Sequence, residues 1–368
     1  MATADPRSLR IQLSYSRNPH LSQLYSGFQA LERMGATTCE WDLAPAQRAN
    51  SPATLSVLVD GRVMLHYDVL DGLNWVVGTA AENLDYFHAN APEGIYFKRS
   101  YTDLLNDYAP PGVTVVPLGL NYFVSPFYVP GAIGLRSRFE RQLRDSAFLR
   151  RLLSIQAASF PAEDFEALPQ LAGETRILMY TRLWDPRGKD VRSPREGTER
   201  SEINAARIEA LLALREAFGS RFTGGIYTDT FSRSCTDPAL LLSWQESEKH
   251  SYLAEMKRHA ICVATGGLHG SIGWRFAEYV ASSRAIVSEP LQFGVGGEFH
   301  SGRNYVEFSN VDELVNCVDR LLSDPKLMRS MMVANYRYYC AHLKPSALVL
   351  DTLVHGLALA EDNATRNP

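Results

Sequence analysis

The chain has few cysteines, and those it has are scattered. Cys39, Cys235, Cys262, Cys317 and Cys340 are odd in number and form no CxxC pair. That excludes a disulfide framework and a structural zinc knot, and it points to reduced thiols in the cytoplasm. No apolar run approaches the about 20 residues of a membrane span. The opening MATADPRSLRIQL also lacks the apolar core of a secretory leader, so a cytoplasmic protein is expected. Neither sign of charge dominates: 37 Lys and Arg against 41 Asp and Glu leave −4. Nothing in that balance favours nucleic acid or an anionic membrane as partner. No internal repeat or low-complexity tract interrupts the chain.

What is present is an ordinary globular composition, 45% hydrophobic and 21% charged over 368 residues. That length exceeds what one core usually serves, so two domains are expected. Residues 9–15 alternate as a strand, the turn 16–20 follows, and 21–34 has Leu24, Phe28, Leu31 and Met34 on one helical face. Residues 56–59 and 63–67 flank Asp60-Gly61, a hairpin signal, with Asp68, Asp71 and Asn74 just beyond. Short strands at 94–97 and 113–116 complete a first α/β region with a parallel sheet. Residues 136–154 read as a basic, mostly solvated helix, and 159–174 as a linker rich in Pro and acids. A second α/β run begins with the strand 177–180, which delivers Thr181-Arg182 to its carboxyl end. A long amphipathic helix over 199–218 follows, then strands at 222–227 and 261–264.

Residues 261–289 concentrate the chemistry. The apolar run Ile261-Cys262-Val263-Ala264 leads into a glycine-rich turn, then a helix carrying Trp274, Phe276 and Val280, then the strand 285–287. This is a βαβ unit. Its turn lies at a strand's carboxyl end and a helix's start, where free N–H groups and the helix dipole favour an anion. His269, Ser271 and Arg275 add donors, and Glu278, one helical turn further, can accept from a ribose hydroxyl. Arg182 and Lys257 join them as candidate diphosphate ligands, because open α/β sheets bind ligands at strand ends. A tight crossover turn and surface salt bridges are the bland alternatives. No metal-ligand spacing is present.

The order His269-Gly270-Ser271, Arg275, Glu278, then Ser288-Glu289-Pro290-Leu291, resembles the donor-binding segment of GT-B glycosyltransferases. Gly302-Arg303-Asn304-Tyr305-Val306, residues 311–314 and Leu321-Leu322-Ser323-Asp324-Pro325 continue the likeness. The resemblance implies two Rossmann-like domains facing a cleft, with a C-terminal helix crossing back. It also implies a nucleotide diphosphate held at Arg182, Lys257, His269, Gly270, Ser271 and Arg275, with the ribose on Glu278. Donor-sugar contacts are implied at Glu289, Gln292 and Asn304. Retaining members usually carry a Glu eight positions before the ribose Glu, and here that position is Gly270.

His20, in the loop after the first strand, resembles the general base of inverting members that act on small molecules. An imidazole titrates near neutrality and suits that work. Asp68, Asp71 and Asp85 are competing bases or orienters of that histidine, and the pair Lys98-Arg99 faces either the cleft or solvent. The expected layout is an acceptor-side domain over 1–165, a nucleotide-sugar domain over 166–345 and a returning helix over 346–368. The expected activity is sugar transfer from a nucleotide sugar to a hydroxyl of a small molecule or glycan, inverting, with no metal or other cofactor. A sugar-nucleotide epimerase on the same fold, or a non-catalytic nucleotide-sugar-binding protein, is the alternative.

Overall fold

The computed structural model describes residues 8–44, 53–128, 160–170 and 173–366. The basic stretch 136–154 lies outside the described residues. The first region runs β1 (Leu9–Ser14), α1 (Ser22–Arg33), β2 (Thr37–Asp42), β3 (Thr54–Val59), β4 (Val63–Asp68), α2 (Ala80–Asn90), β5 (Gly94–Lys98), α3 (Leu104–Tyr108) and β6 (Val113–Pro117). Its sheet has the order β2-β1-β3-β4-β5-β6. The sheet is mixed, not wholly parallel as expected, because β3 runs antiparallel to β1 and β4. The cause is local. Asp60 and Gly61 both take positive φ, 50° and 68°, as a two-residue hairpin turn requires.

Helix α1 buries Leu24, Phe28 and Leu31 as its spacing predicts, but Met34 is 63% exposed. The helix ends at Arg33, so Met34 caps it and leaves the buried stripe.

The second region runs β7 (Ile177–Thr181), α4 (Pro194–Phe218), β8 (Phe222–Ile226), α5 (Thr230–Cys235), α6 (Trp244–Ser247), α7 (Lys249–Arg258), β9 (Ile261–Ala264), α8 (Trp274–Ala281), β10 (Ala285–Ser288), β11 (Val306–Glu307), α9 (Val311–Ser323), α10 (Pro325–Tyr338) and α11 (Pro345–Arg366). Its sheet is parallel throughout, ordered β11-β10-β9-β7-β8. Every residue of β7, β9 and β10 is buried, the pattern of strands covered on both faces. Helix α4 starts ahead of residue 199 because Ser193 caps it, accepting from Glu196 N, with Pro194 in the first turn.

Two segments tie the regions together. Residues 160–170 are fastened to the second region and do not form a free linker. Phe165 is fully buried, and the carbonyls of Phe165, Ala167 and Leu168 accept from Ser282, Ser283 and Arg284. Helix α11 returns to the first region, where Leu348, Val349 and Leu353 join its core. Thr352 Oγ1 lies 3.0 Å from Tyr67 Oη. Gly27 makes this possible, since a Cβ there would strike Pro345 and Val349. Among the described residues no single helix is long and apolar enough to cross a membrane.

Candidate functional site

The second sheet reverses its strand order between β7 and β9, the point where open α/β sheets bind ligands. A cavity of about 570 Å³ opens there. Arg207, from α4, knits the two strand ends together. Its Nη1 donates to Arg182 O at 2.6 Å, its Nε to Thr265 Oγ1 at 3.0 Å and its Nη2 to Gly266 O at 2.9 Å. Burial pushes its guanidinium down to about 10, so it remains charged at neutral pH.

Four more cations line this wall, of which Arg200 is already paired with Asp190 and Glu196. Arg182 is exposed at the mouth. Arg275 donates to Tyr180 O, and its guanidinium lies 4.6 Å from the Tyr227 ring centre and 5.0 Å from that of Tyr252. Such contacts hold a cation without neutralising it. Lys249, at the start of α7, donates to Glu278 Oε1 at 2.5 Å, while Tyr252 Oη donates to Oε2 at 2.7 Å. Burial pushes the Lys249 ammonium down, and Glu278 opposes that shift. Each carboxylate oxygen still has a lone pair for a further donor.

The turn between β9 and α8 closes against the first region. His269 has φ 58° and Gly270 φ 67°. The strained histidine is pinned: its N–H donates to Glu199 Oε1 at 2.5 Å, and Nε2 lies 2.9 Å from Asn74 Nδ2 across the cleft. Gly72 permits that approach, since a Cβ on it would stand 2.6 Å from His269 Cβ. Ser271 is buried and faces the cavity, its carbonyl accepting from Gly267 N at 2.8 Å. His269 and Gly270 shape the turn but do not line the cavity.

The opposite wall comes from the first region: His20, Asp71 and Arg99. Asn18 caps the turn bearing His20, accepting from its N–H at 3.0 Å. The imidazole packs on Trp274, ring centres 4.7 Å apart. Burial lowers its pKa below the ordinary value; Asp71 opposes this and Arg99 adds to it. Arg99 donates to Asp71 Oδ1 at 2.5 Å and, from its other nitrogen, to Ile272 O beside α8. It faces the cleft and is almost wholly buried.

Other expected residues lie elsewhere. Asp68 is sealed inside the first region, accepting from Trp75, Tyr96, Lys98 and the Leu70 N–H. Lys257 sits at the far edge of the second sheet, in a different cavity with Arg284. It is at the wrong end because it precedes β9, and only the residues after a strand reach its carboxyl edge. Asn304 is buried against Asn335, 3.1 Å away, where it braces the loop after β10. Glu289 accepts from Gly266 N at 2.5 Å, and Gln292 is exposed beside Gly270. Neither lines the cavity. Lys249, Arg207, Tyr227 and Tyr252 are the unforeseen members. No motif marks them: packing of α4 and α7 on the sheet brings in Arg207, Lys249 and Tyr252, and Tyr227 directly follows β8. Among the described residues no cluster of three or more His, Cys, Asp or Glu is placed to hold a metal ion.

No protein-family model and no curated protein sequence matches the chain. Solved structures similar to it include the C-terminal domain of a group 1 family glycosyl transferase (LpcC) from Francisella tularensis. That likeness has 15% identity and a TM-score of 0.32, over 50% of this chain and 97% of that one. Sucrose-phosphate synthase from Thermosynechococcus elongatus is similar over 91% of this chain and 72% of its own, with 14% identity and a TM-score of 0.41. HepE from Anabaena, solved with UDP and glucose, is similar over 76% and 67%, with 10% identity and a TM-score of 0.42. These likenesses are distant.

Proposed function

We propose that this protein transfers a sugar from a nucleotide sugar to an acceptor hydroxyl, with inversion and without a metal. The observation that carries this reading is that cations of one sheet and an imidazole of the other line a single cavity. Arg182, Arg275 and Lys249 hold the diphosphate, aided by the N–H groups at the start of α8. Glu278 accepts from the ribose with its remaining lone pairs. The acceptor oxygen attacks the anomeric carbon as the bond from that carbon to the phosphate oxygen breaks. Its proton passes to His20, and the fixed cations stabilise the departing nucleoside diphosphate. Inversion is favoured because the position at which retaining members carry a carboxylate is here a glycine, Gly270. Its φ of 67° disfavours a side chain there.

Turnover of His20→Ala across a panel of uridine, guanosine, adenosine and thymidine diphosphate sugars tests this. The expected loss is about 10²–10⁴-fold at nearly unchanged donor affinity. In the native protein the rate holds from pH 8 to 7. It falls only as acid protonates His20, below the ordinary imidazole range because burial lowers that pKa. Near-normal turnover of a folded His20→Ala removes it as the base.

A further inference from the structure

A histidine base usually owes its aim to a carboxylate on its second ring nitrogen. His20 has no such partner. Its Nδ1 is buried with no hydrogen bond among the described residues. Asp71, the carboxylate that acts on it electrostatically, is held by Arg99 at 2.5 Å. What fixes the ring is instead the indole of Trp274, 4.7 Å away between ring centres.

Trp274 belongs to the other region. It is the first residue of α8, adjacent in sequence to Arg275. Its Nε1 donates to Asn121 Oδ1 at 3.0 Å. The same Asn121 donates through Nδ2 to His20 O at 3.1 Å and to Gln23 Oε1 at 3.0 Å. Asn121 is 3% exposed, and its two amide ends close a triangle of indole, amide and histidine. One side of that triangle is the helix that opens on the cavity, and the other is the loop that carries the imidazole.

We infer that Trp274 and Asn121 are positioning residues that aim the His20 imidazole, and that they do so only when the two regions meet. The inference rests on the transferase reading for its consequence but not for its geometry. The indole lies on the imidazole, and Asn121 bonded to both holds the contact in place. The charged groups that face the ring, Asp71 and Arg99, stay with it on its own side of the cleft. What the other region adds to the ring is therefore the burial supplied by the indole.

The test needs no substrate. The His20 Cε1 proton resonance, assigned by its loss in His20→Gln, is titrated in the ligand-free native chain, in Trp274→Phe and in Trp274→Leu. The expected result is a midpoint that rises toward an ordinary imidazole in Trp274→Leu, while Trp274→Phe, which keeps a ring in place, remains near the native value. An unchanged His20 midpoint in folded Trp274→Leu overturns the inference. Should that variant not fold, Asn121→Ser removes both bridging hydrogen bonds and is held to the same criterion. If turnover is found, Trp274→Leu lowers kcat by up to about 100-fold with donor KM nearly unchanged, the mark of a misplaced base. A protein that transfers no sugar, yet shows the midpoint shift, loses the transferase reading and keeps the positioning one.

Discussion

Two clusters in this molecule have the same chemistry and different fates. In the first region Lys98 pairs with Asp68 at 3.1 Å, and Tyr96 Oη donates to the same carboxylate at 2.6 Å. In the second, Lys249 pairs with Glu278 at 2.5 Å, and Tyr252 Oη donates to that carboxylate at 2.7 Å. Both are a lysine, a carboxylate and a tyrosine near the carboxyl ends of strands. The first is closed: both charged side chains are 0% exposed, and Trp75 and the Leu70 N–H take the remaining acceptor sites. The second lines the cavity, with Lys249 26% exposed. A saturated, dry pair is a brace for the loop that presents Asp71. A pair with free lone pairs and solvent access can still take up a donor from outside.

The sealed pair gives the largest expected effect. Asp68→Asn leaves the Lys98 ammonium buried without its counter-charge, a loss of about 3–5 kcal/mol of stability, read from denaturant unfolding. Nucleotide affinity of the folded fraction is expected to be unchanged; a large loss of affinity with full stability reverses the comparison. Next, Lys249→Ala weakens nucleoside diphosphate binding by about 1.5–3 kcal/mol, the range for a hydrogen bond to a charged group, as calorimetry will show. Lys257→Ala, at the opposite edge of the same sheet, is expected to lie within about 0.5 kcal/mol of the native affinity. Equal losses from the two lysines place the anion elsewhere. The smallest effect is that of a chelator: transfer rates in excess EDTA match those without it, and a loss restored by added metal breaks that part of the proposal.

Much of the fold was legible because the strands speak locally. The apolar runs at 177–180 and 261–264 are strands in the structure, and Asp60-Gly61 announces its hairpin. The same locality hid the consequence that the hairpin reverses β3 within an otherwise parallel sheet. The linker expected over 159–174 fails for a similar reason. Its prolines and acids look like punctuation, while the burial of Phe165 depends on helix α8 more than a hundred residues away. Arg182, Ser271, Arg275 and Glu278 all line the cavity, and the sequence pointed to them because each follows a strand or lies near the start of a helix. Lys257 was misplaced because it precedes β9 and so lies at that strand's amino end, while the cavity opens at the carboxyl ends. Lys249 and Arg207 stayed hidden because their route into the cavity is the packing of whole helices.

The central claim is that the cavity between β7 and β9 is the seat of a nucleoside diphosphate. Titration calorimetry of uridine, guanosine, adenosine and thymidine diphosphates into the native protein and into Arg275→Ala tests it most directly, with circular dichroism confirming the fold. The account predicts that the native chain binds one of the four. It predicts that Arg275→Ala binds it more weakly by about 1.5–3 kcal/mol, roughly 10–150-fold. Native affinity in a folded Arg275→Ala, or no binding of any of the four to the native chain, contradicts it.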